Sequence, residues 1–437
     1  MVALTKEKLL YAVAFMDSVA CSLIIPVLAP YLRSLGASHF TIGSLVSLYF
    51  GLQLISSPVI SYYGDVKSRA FILQITLLVC STFYCILGTA NVLPVIFLSR
   101  IVLGMFTHTQ ILCETILAEV VSPAEKLEIQ RTLTFFGTVG IVTGPAIAGN
   151  MLELHHGFQY VCCIISIIFL INFAIVNLFL PNGPHTNKNE KDNKAVKSKT
   201  SSPDIKDEKH VESETSVKKT IENEIKRESL LKEIFNSVTG LVHINWLFYW
   251  DVFLLKFLFD FTHTIHLVNF APVLRDVYST PPRWIGYTVA LQGLAIAISG
   301  FLTEWMNMFY KSDPNHTNRS LHGFGLLTFS FFCLSLAPNW TCVFVCLLPL
   351  STSVCLLKTA TLEIIKQRIS LNKKGSVKGP GQYAFSAARL FAPVCTGLVY
   401  DMYGFQGTSL LKVVVAGIAT ALSYSLLLQQ VQDKKKM

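Results

Sequence analysis

Apolar stretches of roughly 17 to 25 residues recur along this chain with almost no charge inside them. Each is long enough to cross about 30 Å of hydrocarbon at about 1.5 Å per residue. Water is absent from the bilayer interior, so backbone N–H and C=O groups there must be satisfied within helices or a closed barrel. Barrel strands need only about ten residues and alternate polar with apolar. These runs do neither, so they predict helices. The wider composition agrees, because 52% of residues are hydrophobic and 14% charged, where a soluble domain carries about a quarter charged. The first stretch starts close to Met1 and carries Asp17 without a small-residue cleavage site. It is expected to be retained rather than removed as a signal peptide.

The expected helices lie near 8–31, 42–62, 71–89, 93–117, 132–152 and 160–180, then near 247–272, 284–303, 321–337, 340–358, 379–400 and 407–429. The fold class that follows is an all-α integral membrane protein of twelve transmembrane helices in two six-helix bundles. Lys and Arg orient it. Only Arg33, Arg275 and Arg283 fall on the side away from the termini, while Arg100, Lys256, Lys358, Arg389 and Lys412 fall within spans. The others among the 36 Lys and Arg lie on the side of the termini, which predicts that both termini are cytoplasmic. The chain divides into a first bundle at 1–181, a cytoplasmic linker at 182–245, a second bundle at 246–430 and a basic tail at 431–437. The linker is rich in Lys, Glu, Ser and Asn with little to bury, which predicts disorder. Its later part, ESLLKEIFNSVTGLVHI, has helical apolar spacing suited to the inner leaflet. The 11 cysteines lie mostly inside spans without CxxC spacing, so neither a disulfide framework nor a zinc site is expected.

The two halves repeat at an offset of about 240 to 248 residues. Asp17 before Ala29-Pro30 answers to Asp260 before Ala271-Pro272, and Gly43 in SHFTIG answers to Gly286 in PPRWIG. SYYGD from Ser61 answers to GFLTE from Gly300. Pro145-x3-Gly149 followed by Gly157-Phe158 answers to Pro393-x3-Gly397 followed by Gly404-Phe405. The matches keep chain order, and an even number of spans per copy makes the copies parallel, related by an axis along the membrane normal.

With these motifs the chain resembles the major facilitator superfamily, and within it the drug:proton antiporter-like group that contains tetracycline exporters. The loop 2/3 signature of that family stands here as SYYGDVKSRA, in which Asp65 and Arg69 fit while Ser61, Val66, Ser68 and Ala70 depart. The helix 4 signature is present as Arg100 and Gly104, and the late prolines of helix 1 as Pro26 and Pro30. The helix 5 antiporter signature stands as Gly140, Gly144, Pro145, Ala148 and Gly149. The resemblance implies a solute carrier working by alternating access, and the helix 5 motif implies export or antiport. It also marks Asp65 and Arg69, with Glu304 and Arg389, as contacts of the inner gate; Arg389 is expected near the cytoplasmic end, snorkelling or latching the 10/11 loop rather than touching the solute.

Physical reasoning selects further residues. Gly137, Gly140 and Gly144 form a side-chain-free strip along one helix, where a neighbouring backbone can approach closely in a fixed or a moving contact. An ionised Asp17 in mid-span needs water or a partner, because it costs about 2.5–3.5 kcal/mol on insertion scales. Arg100 is one candidate partner, with His108 continuing its helical face and Glu114 nearby. Lys256, Asp260 and His263 make one narrow stripe, in which a Lys256–Asp260 pair would leave His263 to carry a proton. Asp17, Asp260 and His263 are therefore the proton-coupling candidates. Gln53 and Gln292 occupy matching helices and would bond either a solute or a neighbouring helix.

The sequence lacks GxxxxGK[ST], HExxH and GxSxG, so nothing supports an ATP-driven pump, a metalloprotease or a serine hydrolase. No cofactor and no metal are expected. The expected partners are a small organic solute, protons and the lipid bilayer, with no nucleic acid, and the expected state is a monomer. A uniporter, or a transport-inactive sensor acting through the linker, is the alternative. Lys434, Lys435 and Lys436 resemble a dilysine retrieval signal of the endoplasmic reticulum, and they are equally what any cytoplasmic terminus can carry, so an endomembrane and the plasma membrane both stay open.

Overall fold

The computed structural model describes residues 2–120, 126–180, 246–310, 313, 315–371 and 380–436. The linker, its amphipathic stretch and the 10/11 loop lie outside these residues. Every regular element among the described residues is helical. In the first half these are α1 (Val2–Leu23), α2 (Ile25–Ser34), α3 (His39–Val66), α4 (Arg69–Thr89), α5 (Leu93–Phe106), α6 (Thr109–Val120), α7 (Lys126–Met151) and α8 (Gly157–Phe179). In the second they are α9 (Trp246–Asp276), α10 (Pro282–Asn307), α11 (Thr317–Ser335), α12 (Trp340–Leu371) and α13 (Pro380–Lys436), with a 3-10 turn at Met308–Tyr310.

Three breaks have local causes; the first two divide expected helices, and the third falls in the expected gap between 379–400 and 407–429. The first span divides at Ile24, because Pro26 stands at the start of α2 and cannot donate its backbone hydrogen bond. The fourth divides at Thr107–His108, and Gln53 from α3 donates to the Thr107 carbonyl at 2.8 Å. That bond satisfies a carbonyl at the break. The last helix reverses at Gly404, whose φ of 64° lies in the left-handed region open to glycine.

Eight stretches among the described residues are long and apolar enough to cross a membrane. One of them, Ala384–Gln429, has 46 residues and folds back on itself at Gly404. Helices α9, α10 and α11 form as expected but fall short of that apolar standard. In α9 the reason is plain, since Asp251, Lys256, Asp260, His263, His266 and Asn269 share one helix. The exterior is apolar where a soluble protein would be polar, with Leu178 75% and Ile55 70% exposed. This is a surface made for lipid.

Each half has its own core. One runs from Leu10 to Leu180 and includes Tyr84 stacked on Phe169; the other runs from Leu255 to Ala419 around Phe324 and Phe331. The repeat is visible in side-chain detail. Tyr31 donates to the Ala90 carbonyl at 2.7 Å and Tyr278 to the Ala337 carbonyl at 2.9 Å, each across 59 residues.

The halves meet along two seams, α3 against α13 and α7 against α10. Residues matched in the repeat face one another there. Gly43 lies against the Pro393 carbonyl, and Gly286 lies against the Pro145 carbonyl so closely that a Cβ at either glycine would overlap the oxygen. Gly149 abuts Gly286, and Gly397 abuts the His39 carbonyl. Around them the far end, opposite the termini, is tied across the halves by polar contacts. Asp401 accepts from the backbone N–H of His39 at 3.0 Å and of Phe40 at 2.8 Å. Arg275 donates to the Pro30 carbonyl at 3.1 Å, and Tyr287 to Asn150 Oδ1 at 3.2 Å.

The glycine strip of α7 thus serves two contacts. Gly140 and Gly144 pack on α1, where Ser22 Oγ donates to the Gly140 carbonyl at 3.0 Å, and Gly149 packs on α10. We expect Gly144→Leu, which would drive a side chain into Ser22 and the α1 backbone, to lower the thermal midpoint and the monodisperse yield of purified protein. Gly286→Val acts between the halves instead. It should leave each bundle folded while raising the thiol reactivity of a Thr396→Cys reporter at the far end, because the seam no longer closes.

Candidate functional site

Beneath the sealed end, charged side chains sit inside both bundles. Asp17, Arg100, Lys256, Asp260 and Lys412 are each no more than 6% exposed. Burial of such groups without compensation costs several kcal/mol, so their partners decide what the site can do.

In the second half the expected pair forms. Lys256 Nζ lies 2.8 Å from Asp260 Oδ1, one turn apart on α9, and also lies 5.1 Å from the Phe259 ring. Asp260 Oδ2 has no hydrogen-bond partner. His263 follows on the same stripe, stacked parallel to Phe259, with Nε2 unpartnered. Lys358 of α12 and Arg389 of α13 lie within electrostatic range of Asp260, and Lys358 also acts on His263. Gln292 is not aimed at open space. It bonds His266 Nε2 at 2.8 Å, tying α10 to α9.

The first half is arranged differently from the expectation. Asp17 and Arg100 both act on Cys21, yet they do not form an ion pair. Asp17 Oδ1 has no partner, nor do Nε and Nη2 of Arg100. The Thr109 hydroxyl stands beside Asp17 without a well-formed bond. Arg100 instead faces Tyr49, its Cζ 5.7 Å from the ring centroid. His108 does not continue the Arg100 face, because the helix breaks between them; its Nε2 lies 2.8 Å from Ser56 Oγ on α3. Gln53 bonds the Thr107 carbonyl, so it braces this break. Glu114 is exposed on α6, away from the buried group.

Arg69 donates to the Thr115 carbonyl at 3.2 Å, within its own half. The side chains of Asp65 and Glu304 lie outside the described residues. Arg389, expected at the end of a loop, lies deeper. Its Cζ is 3.8 Å from the Phe50 centroid of the first half and 5.0 Å from that of Phe385 in the second. A guanidinium between two rings gains cation–π stabilisation of about 0.5–2 kcal/mol. This residue belongs to the seam between the bundles.

Sequence reasoning singled out neither Lys358, His266 and Lys412 nor the aromatic residues Tyr49, Phe50 and Phe385. The available signal was a lysine set within an apolar run, as in VCLLKTA at Lys358 and SLLKVVV at Lys412. Among the described residues no group of three or more His, Cys, Asp or Glu could hold a metal, and the 11 cysteines are free.

The Lys256–Asp260 pair gives a direct test. Replacing one partner by Ala strands the other charge, an effect of about 3–5 kcal/mol for buried pairs. Lys256→Ala or Asp260→Ala alone should lower the thermal midpoint of the purified protein more than the double replacement does.

The family model described as Major Facilitator Superfamily matches residues 10–311. Solute carrier family 22 member 18 of Rattus norvegicus is 23% identical over 416 residues, which cover 92% of this chain and 90% of that protein. The class E tetracycline resistance protein of Escherichia coli is 28% identical over 176 residues, covering 38% of this chain and 42% of that protein. Among solved structures, a mutant of the nucleoside transporter NupG superposes with a TM-score of 0.71 at 12% identity, covering 96% of this chain and 98% of that one. A bacterial homologue of the human lysosomal transporter Spinster, inward-facing and unoccupied, gives 0.67 at 14% identity, covering 97% and 96%. The likeness to these structures is one of fold.

Proposed function

Because the chain belongs to the major facilitator superfamily and is therefore a multi-pass membrane transporter rather than an enzyme, we propose that it moves a small organic solute by proton-coupled antiport through alternating access. In this reading the chain crosses the bilayer twelve times as a monomer with both termini cytoplasmic. Bundles 1–181 and 246–430 rock about the two glycine–proline seams, with 182–245 as their tether.

One observation carries the proposal. Asp17 and Asp260, at matching places in the two halves, and half-buried His263 further along the same stripe of α9 each hold a buried polar atom without a partner: Asp17 Oδ1, Asp260 Oδ2 and His263 Nε2. An unsatisfied buried polar atom costs about 1–3 kcal/mol. Taking up a proton, admitting water or binding a solute relieves that cost, and the three reliefs compete. Competition for the same groups is what couples proton and solute movement. The closed far end then leaves the cytoplasmic side as the route by which protons reach the buried Asp17 and Asp260, as in an inward-facing state. Opening the other way requires the Gly43–Pro393 and Gly286–Pro145 contacts to part. Tetracycline-resistance relatives support the antiport direction, and Asp65, Arg69 and Glu304 are assigned to closing the inner mouth in the opposite state.

The test is transport by purified protein in sealed vesicles. The transported solute is first found by comparing the solutes retained by vesicles bearing the wild type and Asp17→Asn. An imposed pH gradient should then drive wild-type uptake, and Asp17→Asn and Asp260→Asn should each reduce that drive at least about tenfold, the factor for roughly 1.4 kcal/mol of lost coupling. Wild-type flux that ignores the gradient would leave a uniporter in place of an antiporter.

A further inference from the structure

The charges around Asp260 do not balance. Lys256 pairs with it at 2.8 Å and neutralises it. Lys358 and Arg389 also lie in electrostatic range of the same carboxylate, yet neither forms an ion pair with any described residue. Lys358 is exposed and lies within electrostatic range of both Asp260 and His263. Across the seam, Arg100 faces the Tyr49 ring, and Tyr49 also lies within electrostatic range of Arg389. Asp17 is the carboxylate of that half which shares neighbours with Arg100, and it does not pair with it. Counted together, the cations are in surplus over the carboxylates.

We propose that the solute bound between the halves is an organic anion with a flat apolar body, its negative group held by Lys358 and Arg389. This deepens the carrier reading above and rests on it. A cation that lacks a counter-ion at membrane depth is tolerated beside water or an anion. An anion arriving from solution supplies what Asp260, already committed to Lys256, cannot. The rings of Phe50 and Phe385 beside Arg389 offer the solute an apolar wall from each bundle, so one molecule touches both halves. An organic cation would meet repulsion from the same two groups. Arginine suits this place, since its planar fork stacks on rings and still presents N–H donors to a carboxylate or sulfonate.

The experiment uses a matched pair of probes with the same ring and opposite charge, 2-naphthoate and 2-naphthylmethylammonium. Equilibrium binding to full-length protein in lipid nanodiscs is measured, with empty nanodiscs subtracting partition into lipid. The wild type should bind the naphthoate at least about tenfold more tightly than the ammonium, with the difference shrinking as salt screens the charges. Lys358→Gln and Arg389→Gln should each weaken naphthoate about tenfold, Lys358→Arg should keep most of the affinity, and Arg131→Gln on exposed α7 surface should change nothing. Equal or better binding of the ammonium by the wild type overturns the proposal without reference to any variant. So does naphthoate affinity that neither neutralising substitution alters in folded protein. Anion binding without solute flux would keep this site and remove the carrier reading, whereas cation flux without anion binding would do the reverse.

Discussion

Two helix crossings with almost no side chain between them hold the far end of this protein shut. At each, a glycine of one bundle rests on the carbonyl of a proline in the other, Gly43 on Pro393 and Gly286 on Pro145. Backbones that approach this closely gain dispersion contact along their length, which in a bilayer replaces the hydrophobic drive available in water. The proline at each crossing has no N–H of its own, so the helix can bend there while its neighbours stay packed. The contact is tight in this state and contains little to break. The buried charges, Asp17 and Asp260 among them, lie below these two crossings, which hold the bundles together at that end.

The two halves share a frame but have diverged in chemistry. Tyr31 and Tyr278 clamp equivalent carbonyls, and the seams obey the same pseudo-symmetry. Within that frame the second half closes its ion pair between Lys256 and Asp260, while the first leaves Asp17 and Arg100 apart. A duplicated scaffold thus presents one neutralised carboxylate and one uncommitted one. The difference begins within one turn of helix: Lys256 stands four residues before Asp260 on α9, whereas Val13 holds that place before Asp17 on α1 and Arg100 lies on another helix.

Length and apolarity made the helices legible in the residues, since a chain cannot leave its backbone unpaired in hydrocarbon. The repeat was legible as well, because glycine and proline positions set by backbone approach tolerate few substitutes. Lys256 with Asp260 could be read from one helical turn. Less was legible wherever two helices had to be placed. Arg100 as partner to Asp17, His108 on the Arg100 face and Arg389 at a loop each assumed a straight helix or an end position that packing altered.

The amino-acid order alone determined the membrane class, the duplicated halves and the buried charges, because these follow from local periodicity and from the cost of charge in lipid. Only the tertiary structure decided which of those charges are paired, that Gln53 and Gln292 brace neighbouring elements, and that Arg389 stands between rings of opposite halves. Such relations join residues on different helices, from tens to hundreds of positions apart, through the rotation and bend of whole helices. A proline or a freed carbonyl changes that rotation by amounts that no spacing along the chain records.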